Sequence, residues 1–180
     1  IHTNLDNIIE GVNGKMADQL ALQNRSILAP KESVLKKLYT FVPVAEADKL
    51  RAAIFEAGAG HIGNYSECSF GAEGTGTFKG SAGTNPFAGK PGERHYEKEL
   101  KIEVIFPAWL QGRVVKALLA AHPYEEVAYD LVSLGNEHQG IGSGLVGELA
   151  EPMDEQAFLA GLKQAFGLTV IRHTPLTGKK

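Results

Sequence analysis

Leu38-Tyr39-Thr40-Phe41-Val42-Pro43 and Lys101-Ile102-Glu103-Val104-Ile105-Phe106-Pro107 are two copies of one pattern, a largely apolar run that a proline stops. Each copy leads into helical spacing. After Pro43, Ala47, Leu50, Ile54 and Ala57 recur three and four residues apart and so share one helix face. After Pro107, Leu110, Val114, Ala117, Leu118 and Ala121 do the same. A proline suits a helix start, where its missing N–H is not needed. The first helix runs out at Gly58-Ala59-Gly60, a glycine-rich C-cap, and His61 follows; the second ends at His122. Strands are expected next, near Tyr65–Phe70 and over Val127–Leu134. The order strand, Pro, helix, His, Tyr, strand thus occurs twice. A doubled strand–helix–strand block of about a hundred residues predicts an α+β fold of the ferredoxin-like βαββαβ type, an antiparallel sheet with two helices on one face. Strands 38–42 and 101–106 should then be neighbours. Between the repeats, Gly71–Gly92 is rich in Gly, Thr, Ser and Pro and reads as a hairpin excursion or loop, with Thr75–Lys79 a candidate strand.

The flanks are shorter and weaker. Before the repeat, Gly11-Val12-Asn13 reads as a turn, Met16, Ala17 and Leu20 give a short helix ending near Leu22, and Ala29-Pro30 breaks it. After the repeat, Gly140-Ile141-Gly142-Ser143-Gly144 leads into a strand over Leu145–Leu149. A helix capped near Asp154 follows, with Phe158, Leu159, Leu162 and Phe166 on its apolar face, then a last strand at Leu168–Ile171. Neither flank has enough apolar residues for a core of its own. The chain therefore divides into residues 1–35, 36–134 and 135–180.

Composition narrows the function classes. Hydrophobic residues make up 43% and charged residues 22%, ordinary proportions for a globular chain. A net charge of −3 with scattered basic residues gives no footprint for nucleic acid, so none is predicted as a partner. No apolar run approaches the ~20 residues that cross a bilayer, and no membrane association is expected. Cys68 is the single cysteine, which excludes an intrachain disulfide and fits a cytoplasmic location. The chain opens on Ile1 rather than Met, which fits either a trimmed end or an internal fragment, and the position of His2–Asp6 at the very start favours the fragment.

Several side chains could carry chemistry. His2 and Asp6, in His2-Thr3-Asn4-Leu5-Asp6, pair an imidazole with a carboxylate as metal ligands do. The same residues also suit a turn in which Asn4 and Asp6 bond nearby backbone, and on spacing alone the turn weighs more. His61 and His122 each follow a helix. A cation-prone side chain there can cap the last carbonyls; alternatively the repeat brings both to one ligand site, with Glu125 and Glu126 orienting an imidazole. Gly74-Thr75-Gly76 with Gly80 fails as a phosphate loop, because the third glycine is displaced, no Lys-Ser/Thr pair closes it and no helix follows. Gly142-Ser143-Gly144 lacks the outer glycines of a serine-hydrolase elbow. Cys68 reads as a buried strand thiol, and Trp109 as core or interface.

Taken together, His2–Asp6, Gly11-Val12-Asn13, Ala59-Gly60-His61-Ile62-Gly63-Asn64-Tyr65, Gly74-Thr75-Gly76-Thr77-Phe78, Gly83-Thr84-Asn85-Pro86 and His122–Asp130 make the chain resemble the bacterial NGG-one-interacting-factor-three family. Its members often carry the name GTP cyclohydrolase type 2 homolog. The resemblance implies a two-part α/β domain that binds two divalent metal ions per subunit and assembles into a homohexamer. It also implies an inserted, trimeric domain of PII-like or CutA-like form. Residues 36–134 match the insert, 1–35 the end of the first half of the metal domain and 135–180 the start of the second, so the chain resembles a central fragment. By the resemblance, Asp6 is a metal ligand and His2 its pocket neighbour. The family's other ligands are an adjacent histidine pair upstream and a His and Glu near the end of the second half. No adjacent histidine pair occurs here.

Two functional readings follow. In the first, the whole protein is a metal-dependent hydrolase acting on a nucleotide-like substrate, its two metals activating a water and clamping an oxyanion. In the second, the chain is a non-catalytic regulatory or assembly module whose insert binds a small ligand or shapes the oligomer.

Overall fold

The computed structural model describes residues 4–178. The chain divides into two compact units, 1–31 with 138–180, and 32–137.

The second unit holds the core. Strand β2 (Leu35–Pro43) leads through a 3-10 turn, Val44–Glu46, into helix α2 (Ala47–Glu56). Strands β3 (Phe70–Phe78) and β4 (His95–Pro107) form a hairpin, and a second 3-10 turn, Ala108–Leu110, opens helix α3 (Gln111–Ala121). Strand β5 (Tyr129–Leu134) closes the unit. The strand order is β3-β4-β2-β5, with every neighbouring pair antiparallel. The repeat's two strands do lie side by side, with Leu38 opposite Val104 and Thr40 opposite Ile102.

Alternation decides which face is covered. Leu38, Val42, Ile102, Val104 and Phe106 point one way and pack with Leu50 and Ile54 of α2 and Val114 and Leu118 of α3 in one buried cluster. Full burial of each such side chain is worth roughly 1.5–3 kcal/mol. The intervening residues, Tyr39, Phe41, Glu99, Lys101 and Glu103, occupy the face away from the helices. Pro43 and Pro107 end their strands and admit a 3-10 turn before the helix. Helix α2 stops ahead of Gly58, whose φ of 96° is open to glycine at little cost.

Three local expectations change. No strand occupies 65–69; the chain there is a loop with one bridge, Ile62 to Tyr65, and β3 begins only at Phe70. Cys68 accordingly sits half-buried in that loop, not in a strand, with its Sγ 3.7 Å from the Ser66 carbonyl oxygen. Trp109 is 58% exposed, so it is not core within the unit.

The first unit is built from a smaller set. A 3-10 turn, Leu5–Asn7, precedes helix α1 (Val12–Gln19), so Val12 and Asn13 begin a helix and Gly11 is its N-cap. Gly11 packs so closely under the Leu5 carbonyl that a Cβ there would collide with it. Strand β1 (Gln23–Pro30), which the sequence did not announce, pairs antiparallel with β6 (Gly142–Glu148). Helix α4 (Glu155–Phe166) is capped as expected: the Ala157 N–H donates to Asp154 Oδ1 at 2.9 Å. Residues 168–171 are irregular and form no strand. Among the described residues no helix is long and apolar enough to cross a membrane.

Candidate functional site

A cavity of about 670 Å³ lies in the second unit, lined by β3, by the start of the 79–94 connection, by β4 at Glu99 and Lys101, and by the segment after α3. Strand register explains the space. Ala72, Gly74 and Gly76 face the same way as their partners Lys101, Glu99 and Glu97. These three small side chains leave the floor low. A Cβ added at Gly74 would meet no atom within 4 Å, whereas one at Gly76 would collide with the Glu99 carboxylate.

Glu99 is 7% exposed. Its Oε1 accepts a hydrogen bond from the Tyr124 hydroxyl at 2.8 Å, and no described residue donates to Oε2. Burial, followed by the bond to Glu99 and its charge, pushes the Tyr124 phenol well above its ordinary range. The phenol therefore stays protonated and acts as a donor, not as a nucleophile. Its ring is clasped by other aromatics: His122 at 5.0 Å between centroids, Phe78 at 5.8 Å and Phe87 at 6.0 Å.

His122 supports this arrangement from behind. It is 7% exposed, and as the C-cap of α3 its backbone has left the helix. The Tyr124 N–H donates to Nδ1 at 3.1 Å, so the ring's proton lies on Nε2, which donates to the Phe41 carbonyl at 2.9 Å. Burial holds this imidazole below its ordinary value, outweighing the Phe41 bond and the Glu99 charge. It is a neutral brace tying the end of α3 to β2. Glu125 and Glu126 are exposed at the cavity rim, and Glu125 Oε2 accepts from the Asn85 N–H at 3.2 Å, holding the 79–94 connection. His61 is exposed in the loop after α2 and is not among the lining residues. The structure thus places Glu125 and Glu126 in the cavity lining and leaves both His122, which braces Tyr124, and His61 outside that lining. Lys101 belongs to the lining but is engaged: its Nζ lies 2.8 Å from Glu103 Oε1 and 4.5 Å from the Tyr39 ring centroid. The Glu103 carboxylate raises the Lys101 value, and Lys101 with Lys37 lowers that of Glu103.

Sequence reasoning missed Glu99, Tyr124 and the glycines of β3 as lining residues. A signal existed: Ala72, Gly74 and Gly76 are small at every second position, as a strand with one emptied face would be.

The family model of Duf34/NIF3 (NGG1p interacting factor 3) matches residues 1–180. The chain belongs to the Duf34/NIF3 family. Curated relatives named GTP cyclohydrolase 1 type 2 homolog include one from Halalkalibacterium halodurans, 48% identical over 172 residues, and one from Bacillus subtilis, 40% identical over 172 residues. Each match covers 95% of this chain and 46% of the relative, so the chain spans about half the length of the curated relatives it matches. A solved Bacillus cereus protein related to NIF3 superposes with a TM-score of 0.79 at 44% identity, covering 93% of this chain and 44% of that one.

The metal that the resemblance implied can be tested against this Duf34/NIF3 chain's own residues. Asp6 is exposed in the 3-10 turn Leu5–Asn7, where the Asn13 side chain donates to its backbone oxygen at 2.8 Å. His2 lies outside the described residues. Among the described residues no three His, Cys, Asp or Glu side chains stand close enough to hold a metal ion. Asp6 supplies a single carboxylate, so the donors described here do not by themselves fit a dinuclear centre, and no step through a metal is derived from them.

Proposed function

We propose that the 32–137 unit is a regulatory module that binds a small molecule within a longer, cytoplasmic, metal-dependent hydrolase acting on a nucleotide-like substrate. The observation that carries the ligand-binding part is the cavity floored by β3 and Glu99 and walled by Tyr124, Phe78 and Phe87. Its volume of about 670 Å³ falls within the usual range for small-molecule sites, roughly 300–1,000 Å³. The protonated phenol and neutral imidazole behind it suit binding better than bond-breaking. Support for a ferredoxin-like, PII-like or CutA-like assignment of this unit is its element order, βαββαβ with strands ordered β3-β4-β2-β5. In this reading residues 36–134 are the insert, 1–35 and 135–180 are parts of the metal-binding domain, the inserts associate as trimers and the longer protein forms hexamers.

The hydrolase part rests on family membership and on Asp6, with His2 beside it in sequence. Asp6 would contribute one ligand to a pair of divalent ions whose remaining ligands come from residues beyond those described. Purified at the full length of the relatives, the protein should carry close to two divalent ions per subunit and turn over a nucleotide. Asp6→Ala should lower both the metal content and the rate. Unchanged turnover by metal-free protein would remove the metal dependence, and no turnover by the metal-loaded protein would remove the hydrolase reading and leave the ligand module.

A further inference from the structure

We propose that the cavity between β3 and the segment after α3 receives a small organic cation, a protonated amine or amidine on a flat apolar body. The inference deepens the ligand-module reading above and rests on it.

Three independent features converge. The first is the unpaired oxygen. Glu99 is 7% exposed, Oε1 is occupied by Tyr124, and Oε2 receives no hydrogen bond from any described residue. Arg51 Nε is the buried side-chain polar atom without a partner among the described residues, so Oε2 is open to the cavity and stands ready to accept from a ligand N–H. The oxygen is placed by design of the strand: only glycine at 76 leaves it room.

The second is the balance of charge. Glu99, Glu125 and Glu126 line the cavity against Lys79 and Lys101, and Lys101 is already paired with Glu103. An anionic ligand would meet net negative charge with no free buried cation to receive it. A neutral ligand would gain no Coulomb energy from Glu99. A cation gains both the hydrogen bond and the charge, and a charge-assisted bond is roughly twice as strong as a neutral one.

The third is the wall. Phe41, Phe78, Phe87 and Tyr124 line the same space. Aromatic faces attract cations within about 6 Å and also cover a flat apolar body. The open volume above Gly74, where a Cβ would touch nothing, gives that body its place.

The test uses the 180-residue chain and three probes sharing one aromatic body: phenethylamine, phenethyl alcohol and hydrocinnamate. Binding is followed by calorimetry and by amide shifts of Gly74, Gly76 and Tyr124. The amine should bind about tenfold tighter than the alcohol, equivalent to ~1.4 kcal/mol, and hydrocinnamate should bind weakest. Glu99→Gln, which keeps an acceptor for Tyr124, should bring the amine down to the alcohol. Gly74→Leu, whose Cβ meets no atom within 4 Å and whose side chain extends into the space, should abolish binding of all three. Amine and alcohol binding equally, with Gly74→Leu still blocking both, would overturn the cation preference and leave the ligand module standing. Preferential binding of hydrocinnamate would overturn it in the same way. If none of the probes moves those amides at millimolar concentration, both the inference and the ligand-module reading fail. Tight amine binding that Glu99→Gln does not weaken would also overturn the inference.

Discussion

His122 uses both ring nitrogens, one accepting from the Tyr124 N–H and the other donating to the Phe41 carbonyl. That pairing requires the neutral ring, and burial lowers the imidazole's value below the ordinary 6.5. The unfolded chain therefore takes up a proton at a higher pH than the folded chain does. Stability from this group is fully present above the unfolded value and is lost as pH falls below it toward the lower folded value. Thermal unfolding followed from about pH 7 down to about pH 5 should show a falling Tm. His122→Gln should fall less over the same interval, because its amide cannot charge. Parallel curves for the two proteins would assign the acid sensitivity to other groups. Tyr124 is placed by the same contacts. Part of this site was readable residue by residue: a dense run of ionisable and aromatic side chains at 122–130 pointed to Glu125 and Glu126. The partnership of Tyr124 with Glu99 was not readable, because it joins two elements through strand register and no local spacing encodes it.

At the scale of elements, β3 shows how a strand can serve as a floor. Its cavity-facing positions are Ala72, Gly74 and Gly76, and the last lies under the Glu99 carboxylate. Gly76→Ala drives a methyl into that carboxylate, which cannot swing aside without breaking its bond to Tyr124. Overpacking of this kind costs about 1–3 kcal/mol, to be read from the urea midpoint. Adding Glu99→Ala to Gly76→Ala should recover most of the Gly76→Ala loss relative to Glu99→Ala alone, because the obstacle is gone. Equal losses in both backgrounds would place the cause in the strand backbone. Elements with strong local periodicity were legible: β2, β4, α2 and α3 follow from Pro43, Pro107 and the three-and-four spacing behind them. Strand β3 was only half legible, since Gly71-Ala72-Glu73-Gly74-Thr75-Gly76 has low strand propensity and is held by its nine register partners in β4. Strand β1 is largely polar, and it pairs with β6 across the whole intervening unit, so nothing local announces it. Leu168–Ile171 has strand-like residues, but no described strand pairs with it.

At the scale of the whole molecule, the 32–137 unit carries its own buried cluster, drawn entirely from residues 38–118. Leu35 lies opposite Leu134 in the β2–β5 ladder, so the unit's first and last strands begin and end side by side. Expressed alone, residues 32–137 should fold. Amide spectra should be dispersed, and unfolding should be cooperative, with a midpoint close to that of the same unit in the longer chain. A collapsed species without dispersed amides would mean that the remainder of the chain is required. In the sequence the repeat marked out only the middle segment, 36–134, and nothing local joined the two flanks into one unit. The pairing that brings the ends of the second unit together depends on β2 taking β5 and β4 as neighbours on opposite edges.

That neighbouring of Leu35 and Leu134 also makes the unit indifferent to where its chain is cut. A short linker could join the two ends into a closed loop of backbone, and new ends could be opened in the 79–94 connection, between β3 and β4. The circular permutant would keep the same three ladders and the same helices on the covered face. Its new termini would lie at the mouth of the cavity, where a dye or a crosslinker placed on them would report directly on what enters.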